Sequence, residues 1–311
     1  MTGGAGFIGA NLSRRLREQG NDVVVVDDLS TGDLENLREL DVTLVEGTIL
    51  DPEILDTAMS DATAVVHLAA RPSVPRSITD PVASHLANAT GTVEVLEAAR
   101  RAGNLHVVVA SSSSVYGANH MLPFSEDQPV DHPVSLYAAT KKANELMAHS
   151  YSHLYRLPAT GLRFFTVYGP WGRPDQAPML FAKAILDGQP IDVFNQGRMQ
   201  RDFTYVDDIV EGVVRVLGLP PAADADAAPC AIYNIGNHEA VELSRFIDTL
   251  ERLLGRRALR RPRPMQPGDM RATYASIDRL ARATGFAPRT SLDDGLARFV
   301  AWYRDHYGVP A

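Results

Sequence analysis

Thr2-Gly3-Gly4-Ala5-Gly6-Phe7-Ile8-Gly9 stands near the head of the 311-residue chain, and a helical pattern begins directly behind it. Gly3, Gly6 and Gly9 have the spacing of a loop that cradles a dinucleotide. The first glycine makes a tight turn, the second lets the backbone approach a pyrophosphate, and the third lets the following helix pack closely. The apolar run Val23-Val24-Val25-Val26 then ends in Asp27, where an acidic side chain can accept hydrogen bonds from an adenosine ribose. Asp27 and Asp28 together would repel a 2′-phosphate, so the pattern favours NAD over NADP. A loop of this kind should follow a strand, yet only Met1 precedes Thr2. The expectation is that the first strand is missing from this sequence, with Met1 at the place of a strand's last apolar residue.

Outward from the loop, short apolar runs alternate with amphipathic stretches, the pattern of βαβ units around a parallel sheet. The strand candidates are Val23 to Val26, Ala64 to Leu68, His106 to Ala110 and Thr160 to Phe164. Their β-branched runs suit strands covered on both faces. Helix candidates are Ala10 to Gln19, Val82 to Ala102 and Leu136 to Tyr155. From about Tyr168 glycine and proline become frequent and the rhythm is lost. An amphipathic helix over Tyr205 to Leu217 and a short strand at Ile232 to Ile235 suggest a return to the first domain. The expected fold is α/β: a Rossmann-like doubly wound parallel sheet with a smaller α/β substrate-binding lobe. Residues 1–167, joined by about 204–236, would form the NAD-binding domain; 168–203 and 237–311 would form the lobe.

The composition is that of an ordinary globular protein, 45% hydrophobic and 22% charged. A net charge of −8 argues against nucleic acid or an anionic membrane as partner. The run Arg256 to Arg263 reads as a solvated loop. Cys230 is the only cysteine, which excludes an intrachain disulfide and a cysteine metal cluster. No signal segment and no apolar run of membrane-spanning length is present, so a cytoplasmic enzyme is expected. Hydrolase and metalloenzyme signatures (Gly-x-Ser-x-Gly, His-Glu-x-x-His) are missing.

Tyr137-Ala138-Ala139-Thr140-Lys141 falls at the start of a helix candidate, so Tyr137 and Lys141 share one face. A tyrosine acts as a base near neutral pH only if its pKa falls well below the usual ~10. A neighbouring ammonium and a positive nicotinamide ring would both favour the phenolate. The same spacing fits a surface helix. Against that, only three of the 30 basic residues are lysine, and the glycine loop lies upstream. Ser111 to Ser114 follow a strand candidate and so lie at the carboxyl edge of the sheet, where ligands bind in this architecture.

The motifs TGGAGFIG, VVVVDDLSTG, HLAA, SSSSVYG, YAATKKANE, RFFTVYGPWGRP, RDFTYVDDIVEG, YNIG and QPGD run nearly end to end. They resemble the extended short-chain dehydrogenase/reductases, specifically the nucleotide-sugar epimerases and dehydratases. The resemblance implies a bound NAD, a UDP- or dTDP-sugar between the lobes, and a homodimer formed through Val82 to Ala102 and Leu136 to Tyr155. It assigns catalysis to Tyr137, Lys141 and Ser112. Phe7, Ile8, Thr48, Ile49, Leu68, Ala69 and Asn88 match cofactor-contacting positions, although the family usually has Asp at Thr48. Ser113 and Ser114 stand where 4,6-dehydratases carry Asp-Glu and UDP-glucuronate decarboxylases a Glu. Plain redox epimerisation therefore remains.

The stretch Arg163 to Pro174 is most similar to the UDP-glucuronate 4-epimerases. Thr166 replaces the Asn common in glucose epimerases, and Arg173 offers a two-pronged donor suited to a C5 carboxylate. Gln266 to Asp269 point the same way. The family pattern further assigns Val193 to uracil, Arg201 to the diphosphate and Asp269 to the UDP ribose. The expected reaction is interconversion of UDP-glucuronate and UDP-galacturonate through a 4-keto intermediate. The alternatives are a UDP-glucose or UDP-N-acetylhexosamine 4-epimerase, or a nucleotide-sugar reductase.

Overall fold

The structure, a computed structural model, describes residues 1–223, 227–265 and 271–310. Strands β1 (Val24–Asp27), β2 (Thr43–Glu46), β3 (Ala64–His67), β4 (His106–Ser112) and β5 (Ala159–Phe164) are all parallel, as are their pairings. Helices α1 (Phe7–Glu18), α2 (Pro52–Met59), α3 (Val74–Thr79), α4 (Pro81–His85), α5 (Gly91–Arg101) and α6 (Leu136–Tyr155) connect them. Every residue of β4 is buried, which is why its middle, Val107 to Ala110, is a continuous apolar run and not an alternating one. The fold matches the expected parallel α/β class.

Thr2 forms bridges to both Val26 and His67. Its N–H donates to Val66 O at 3.0 Å, and the Gly3 N–H donates to Val26 O at 2.8 Å. Thr2 thus joins the β1–β2 pair to the β3–β4–β5 sheet, directly before the glycine loop.

After β6 (Thr166–Tyr168) the chain builds α7 (Ala177–Leu186), β7 (Pro190–Phe194), β8 (Gln200–Arg201), β9 (Phe203–Tyr205) and α8 (Val206–Leu217). It then returns to the main sheet as β10 (Cys230–Ile235), parallel to β5. The remainder comprises β11 (Val241–Glu242), α9 (Leu243–Leu254), β12 (Leu259–Arg263), β13 (Ala272–Thr273), α10 (Asp278–Thr284) and α11 (Leu292–Tyr307). Stacked Phe203 and Phe246, 4.4 Å between ring centroids, anchor the core of this outer part.

Three elements differ from expectation. β4 continues through Ser111 and Ser112, because β5 supplies ladder partners at Arg163 and Phe164. The helix expected over Val82 to Ala102 contains a π-helical turn at Leu86–Thr90. The arginine run is no loop: Leu259–Arg263 pairs with β7, and Arg260 and Arg263 sit on Glu251 and Asp192 at 2.8 and 3.0 Å.

Candidate active site

A cleft of about 530 Å³ opens at the carboxyl edge of the parallel sheet. Gly3, Gly6 and Gly9 line one end of it, each for its own steric reason. A Cβ on Gly3 would come within 2.6 Å of Ala69 N, and one on Gly9 within 2.2 Å of Gly3 O. A Cβ on Gly6 would meet only Gly3 O, at 3.3 Å, so that side of the loop is open to the cleft. Gly6 caps α1 without a side-chain acceptor, and Phe7, Ile8 and Gly9 of the first turn line the same wall. First-turn N–H groups have no intrahelical partner and carry the positive end of the helix dipole, which suits a pyrophosphate.

Asp27 closes this end. Its carboxylate accepts from Ala5 N at 2.9 Å and Leu29 N at 3.0 Å. Burial pushes its pKa up while those two N–H groups pull it down. Each oxygen keeps a second lone pair for a ribose hydroxyl. Thr48, Ile49, Leu68 and Ala69 also line the cleft. A glycine cradle that a Cβ would fill, an uncapped helix N-terminus and a fixed acid together fit NAD.

At the middle of the cleft, Ser135 caps α6 by accepting from Ala138 N at 3.1 Å. The helix presents Tyr137 and Lys141 one turn apart, both lining the cleft. Lys141 is buried and its Nζ donates to Ala110 O at 2.8 Å. Burial lowers its pKa to about 8. Burial also raises the Tyr137 phenol, against a hydrogen bond with Ser112 and the charge of Arg173. Of the two charges expected to lower Tyr137, Lys141 does not act on it in the protein alone, and burial of the phenol prevails. Ser112 in turn is held by Ser114: its Oγ donates to Ser114 Oγ and accepts from Ser114 N, both at 3.1 Å.

A buried polar chain supports this loop from behind. Ser111 Oγ donates to Glu145 Oε1 at 2.6 Å, and Arg163 grips both oxygens of Glu145 at 2.8 and 2.9 Å. Arg163 also donates to Tyr116 OH, which donates to Asn234 Oδ1 at 2.6 Å. The serine edge of β4 is thereby tied to α6, β5 and β10.

Thr166 and Arg173 reach the cleft from the other side. Several expected residues do not line it. Asn88 lies behind the wall in the π-helical turn, accepting from Arg71 N at 2.7 Å and donating to Thr140 Oγ1. Ser113 and Ser114 form the turn after β4. Val193 is buried in the core on β7, within the ladder to β12. Arg201 lies in β8, with Nη1 on Gln200 O at 2.9 Å. Asp269 and its neighbours from 266 lie outside the described residues. Conversely, Arg71, Pro72 and Gln176 line the cleft without having been singled out. The Arg-Pro pair follows directly on HLAA and could have been read as part of that strand-end motif.

No group of potential metal ligands occurs among the described residues, and no described helix is long and apolar enough to cross a membrane. A parallel sheet, a dinucleotide cradle and a Tyr/Lys/Ser cluster at one sheet edge define an NAD-dependent enzyme that acts on an alcohol.

Comparison with known proteins narrows the class. The profile of the NAD dependent epimerase/dehydratase family matches residues 1–236, and the chain belongs to that family. It is 45% identical to Protein CapI of Staphylococcus aureus, over 99% of this chain and 98% of the relative. It is 42% identical to a probable UDP-glucuronate 4-epimerase of Rhizobium meliloti (strain 1021), over 99% and 97%. Among solved structures it resembles MoeE5 in complex with UDP-glucuronic acid and NAD, with a TM-score of 0.87 and 34% identity over 98% of both chains. The protein is an NAD-dependent nucleotide-sugar epimerase.

Proposed function

We propose that the chain interconverts UDP-glucuronate and UDP-galacturonate by epimerisation at C4. The observation that carries this reading is Arg173, a guanidinium that lines the same cleft as Tyr137. The names of the Rhizobium meliloti relative and of the MoeE5 complex support the same substrate.

When bound, NAD supplies a reversible acceptor for the C4 hydride. Tyr137, ionised once the positive nicotinamide ring of bound NAD adds to the Lys141 and Arg173 charges, would take the C4 hydroxyl proton, with the Ser112 hydroxyl orienting that oxygen, as the C4 hydrogen leaves as hydride. The resulting 4-keto sugar turns about its link to the diphosphate. Return of hydrogen to its other face, with the proton given back by Tyr137, would yield the C4 epimer. Binding energy from the UDP handle holds an intermediate whose sugar must stay mobile. Thr166 and Arg173 grip the carboxylate in both poses. They hold it near the plane of its neighbouring bonds, away from the alignment that expels CO₂. Ser113 and Ser114 offer no carboxylate for proton transfer at C5, which fits epimerisation and not dehydration.

Of the remaining site assignments, Gly3 through Gly9, Asp27, Thr48, Ile49, Leu68 and Ala69 hold NAD, with Asn88 fixing the Arg71 segment. Arg201, Val193 and Asp269 hold UDP. We further propose a cytoplasmic homodimer. Val82 and Leu86 on one helical segment and Leu146 and Leu154 on α6 are exposed apolar side chains, and the two segments pack against each other.

Arg173→Ala tests the substrate. A hydrogen bond to a charged group contributes about 1.5–3 kcal/mol, so kcat/KM for UDP-glucuronate should fall roughly 10- to 150-fold. The loss with UDP-glucose should stay within about threefold. Equal losses would remove the reason for choosing a uronate and return the choice to a hexose epimerase.

A further inference from the structure

Arg173 sits on a loop that is pinned at both ends. On one side, α1 holds it: Asn11 Nδ2 donates to Pro170 O at 3.1 Å, and the Arg14 guanidinium lies 4.6 Å over the Trp171 ring. Trp171 has φ +59°, a conformation that a residue with a side chain keeps only where its surroundings impose it. On the other side, the Arg173 N–H donates to Gln176 Oε1 at 3.2 Å, just before α7.

Between these anchors lies Asp175. Its Oδ1 accepts from Arg173 Nε at 3.0 Å, and its Oδ2 accepts from Arg76 Nη2 at 3.2 Å. Arg76 belongs to α3, in the segment that follows the cleft-lining Arg71 and Pro72. One carboxylate therefore joins the two rims of the cleft. A guanidinium can offer a carboxylate either its Nε edge or its pair of Nη atoms. With Nε engaged by Asp175, the Nη pair remains.

We propose that Asp175 is a positioning residue for recognition of the sugar carboxylate. Braced by Arg76 from the far rim, it holds Arg173 by Nε so that the Nη pair is presented to the C6 group. This rests on the uronate reading above. An unbraced arginine must lose its rotamer freedom on binding, which weakens affinity by roughly three- to tenfold. A neutral C6 hydroxymethyl gains little from the same arrangement, so the brace favours uronates selectively.

The test compares the NAD-loaded wild type with Asp175→Asn, Asp175→Glu, Arg76→Ala and Arg173→Ala, measuring KM and kcat with UDP-glucuronate and UDP-glucose and the dissociation constant of each sugar nucleotide. Asp175→Asn and Arg76→Ala should weaken UDP-glucuronate three- to tenfold more than UDP-glucose. kcat with UDP-glucuronate should stay within twofold, and Asp175→Glu should recover part of the loss. Equal weakening of both substrates, no weakening, or tighter uronate binding would overturn the proposal; the last would make Asp175 a competitor of the substrate. If the wild type does not prefer UDP-glucuronate, the uronate reading falls and this inference with it. If it does, and only Arg173→Ala removes the preference, Asp175 alone loses its role.

Discussion

Tyr137 and Lys141 were legible from their spacing, since four residues along a helix bring side chains to one face. Their charge state was not legible, because it depends on what lies across the helix–strand contact: Ala110 O takes the Lys141 ammonium. A second residue appears in the sequence only as the first letter of HLAA, with nothing to mark its charge state. His67 ends β3 fully inside the protein, with Nδ1 against Thr2 Oγ1 at 2.8 Å and Nε2 against Thr92 Oγ1 at 2.9 Å. Burial and the Lys141 charge hold its pKa down at about 3, from an ordinary 6.5. The folded state thus stays unprotonated where the unfolded chain binds a proton. Stability from this site is complete above pH 6.5 and is lost as pH falls toward 3, at up to about 1.4 kcal/mol per pH unit. His67→Gln should flatten the acid limb of unfolding free energy between pH 6 and 4 by up to that slope. Denaturant titrations at several pH values measure it; an unchanged slope would show that other groups carry the acid lability.

Among the elements, α6 was read to the residue because both its ends are local. Ser135 caps the start, and Arg156 turns left-handed at the finish. β4 was read two residues short: Ser111 and Ser112 look like a turn by composition, and only the ladder to β5 makes them strand. The π-helical turn at Leu86–Thr90 has no signature in its residues; it widens the helix where Asn88 meets Arg71 and Thr140. The glycine spacing was legible because Gly3 and Gly9 each answer a close backbone contact and Gly6 opens on the cleft. Gly9→Ala would drive a Cβ to 2.2 Å from Gly3 O, a backbone atom with nowhere flexible to go. Overpacking of this kind costs about 1–3 kcal/mol, and here the strain falls on the pyrophosphate cradle. The variant should be purified largely free of nucleotide, as judged by NAD released on denaturation; wild-type NAD content would mean that the loop yields without losing its shape.

For the whole molecule, the parallel sheet and a later return to it could be anticipated, because βαβ rhythm and a β-branched run are chain-local signals. The outer part could not, since β8, β11 and β13 are two-residue strands that exist only through each other's pairing. The two sides of the cleft were legible unevenly for the same reason. Tyr137, Ser112 and the glycines belong to motifs, and Arg71 adjoins one, whereas Gln176 acquires meaning only once distant segments meet. The exposed apolar face formed around α6 bears on assembly. Val82→Glu, at a side chain 69% exposed in the single chain, should leave the fold intact and shift sedimentation from dimer to monomer. A dimer of unchanged affinity would place the interface elsewhere.

β10 has a consequence for how the protein is made. On the ribosome the first five strands emerge well before Cys230–Ile235, and at about 5–20 residues per second the β5 edge waits several seconds for its neighbour. An unpaired edge is a template for pairing with another nascent chain. The late strand also carries Asn234, the acceptor for Tyr116 in the support behind Ser112. Competence for catalysis therefore waits at least until residue 235 has been made and β10 has joined the sheet, and the brace on the serine edge is itself completed later, when Ser276 O accepts from Asn234.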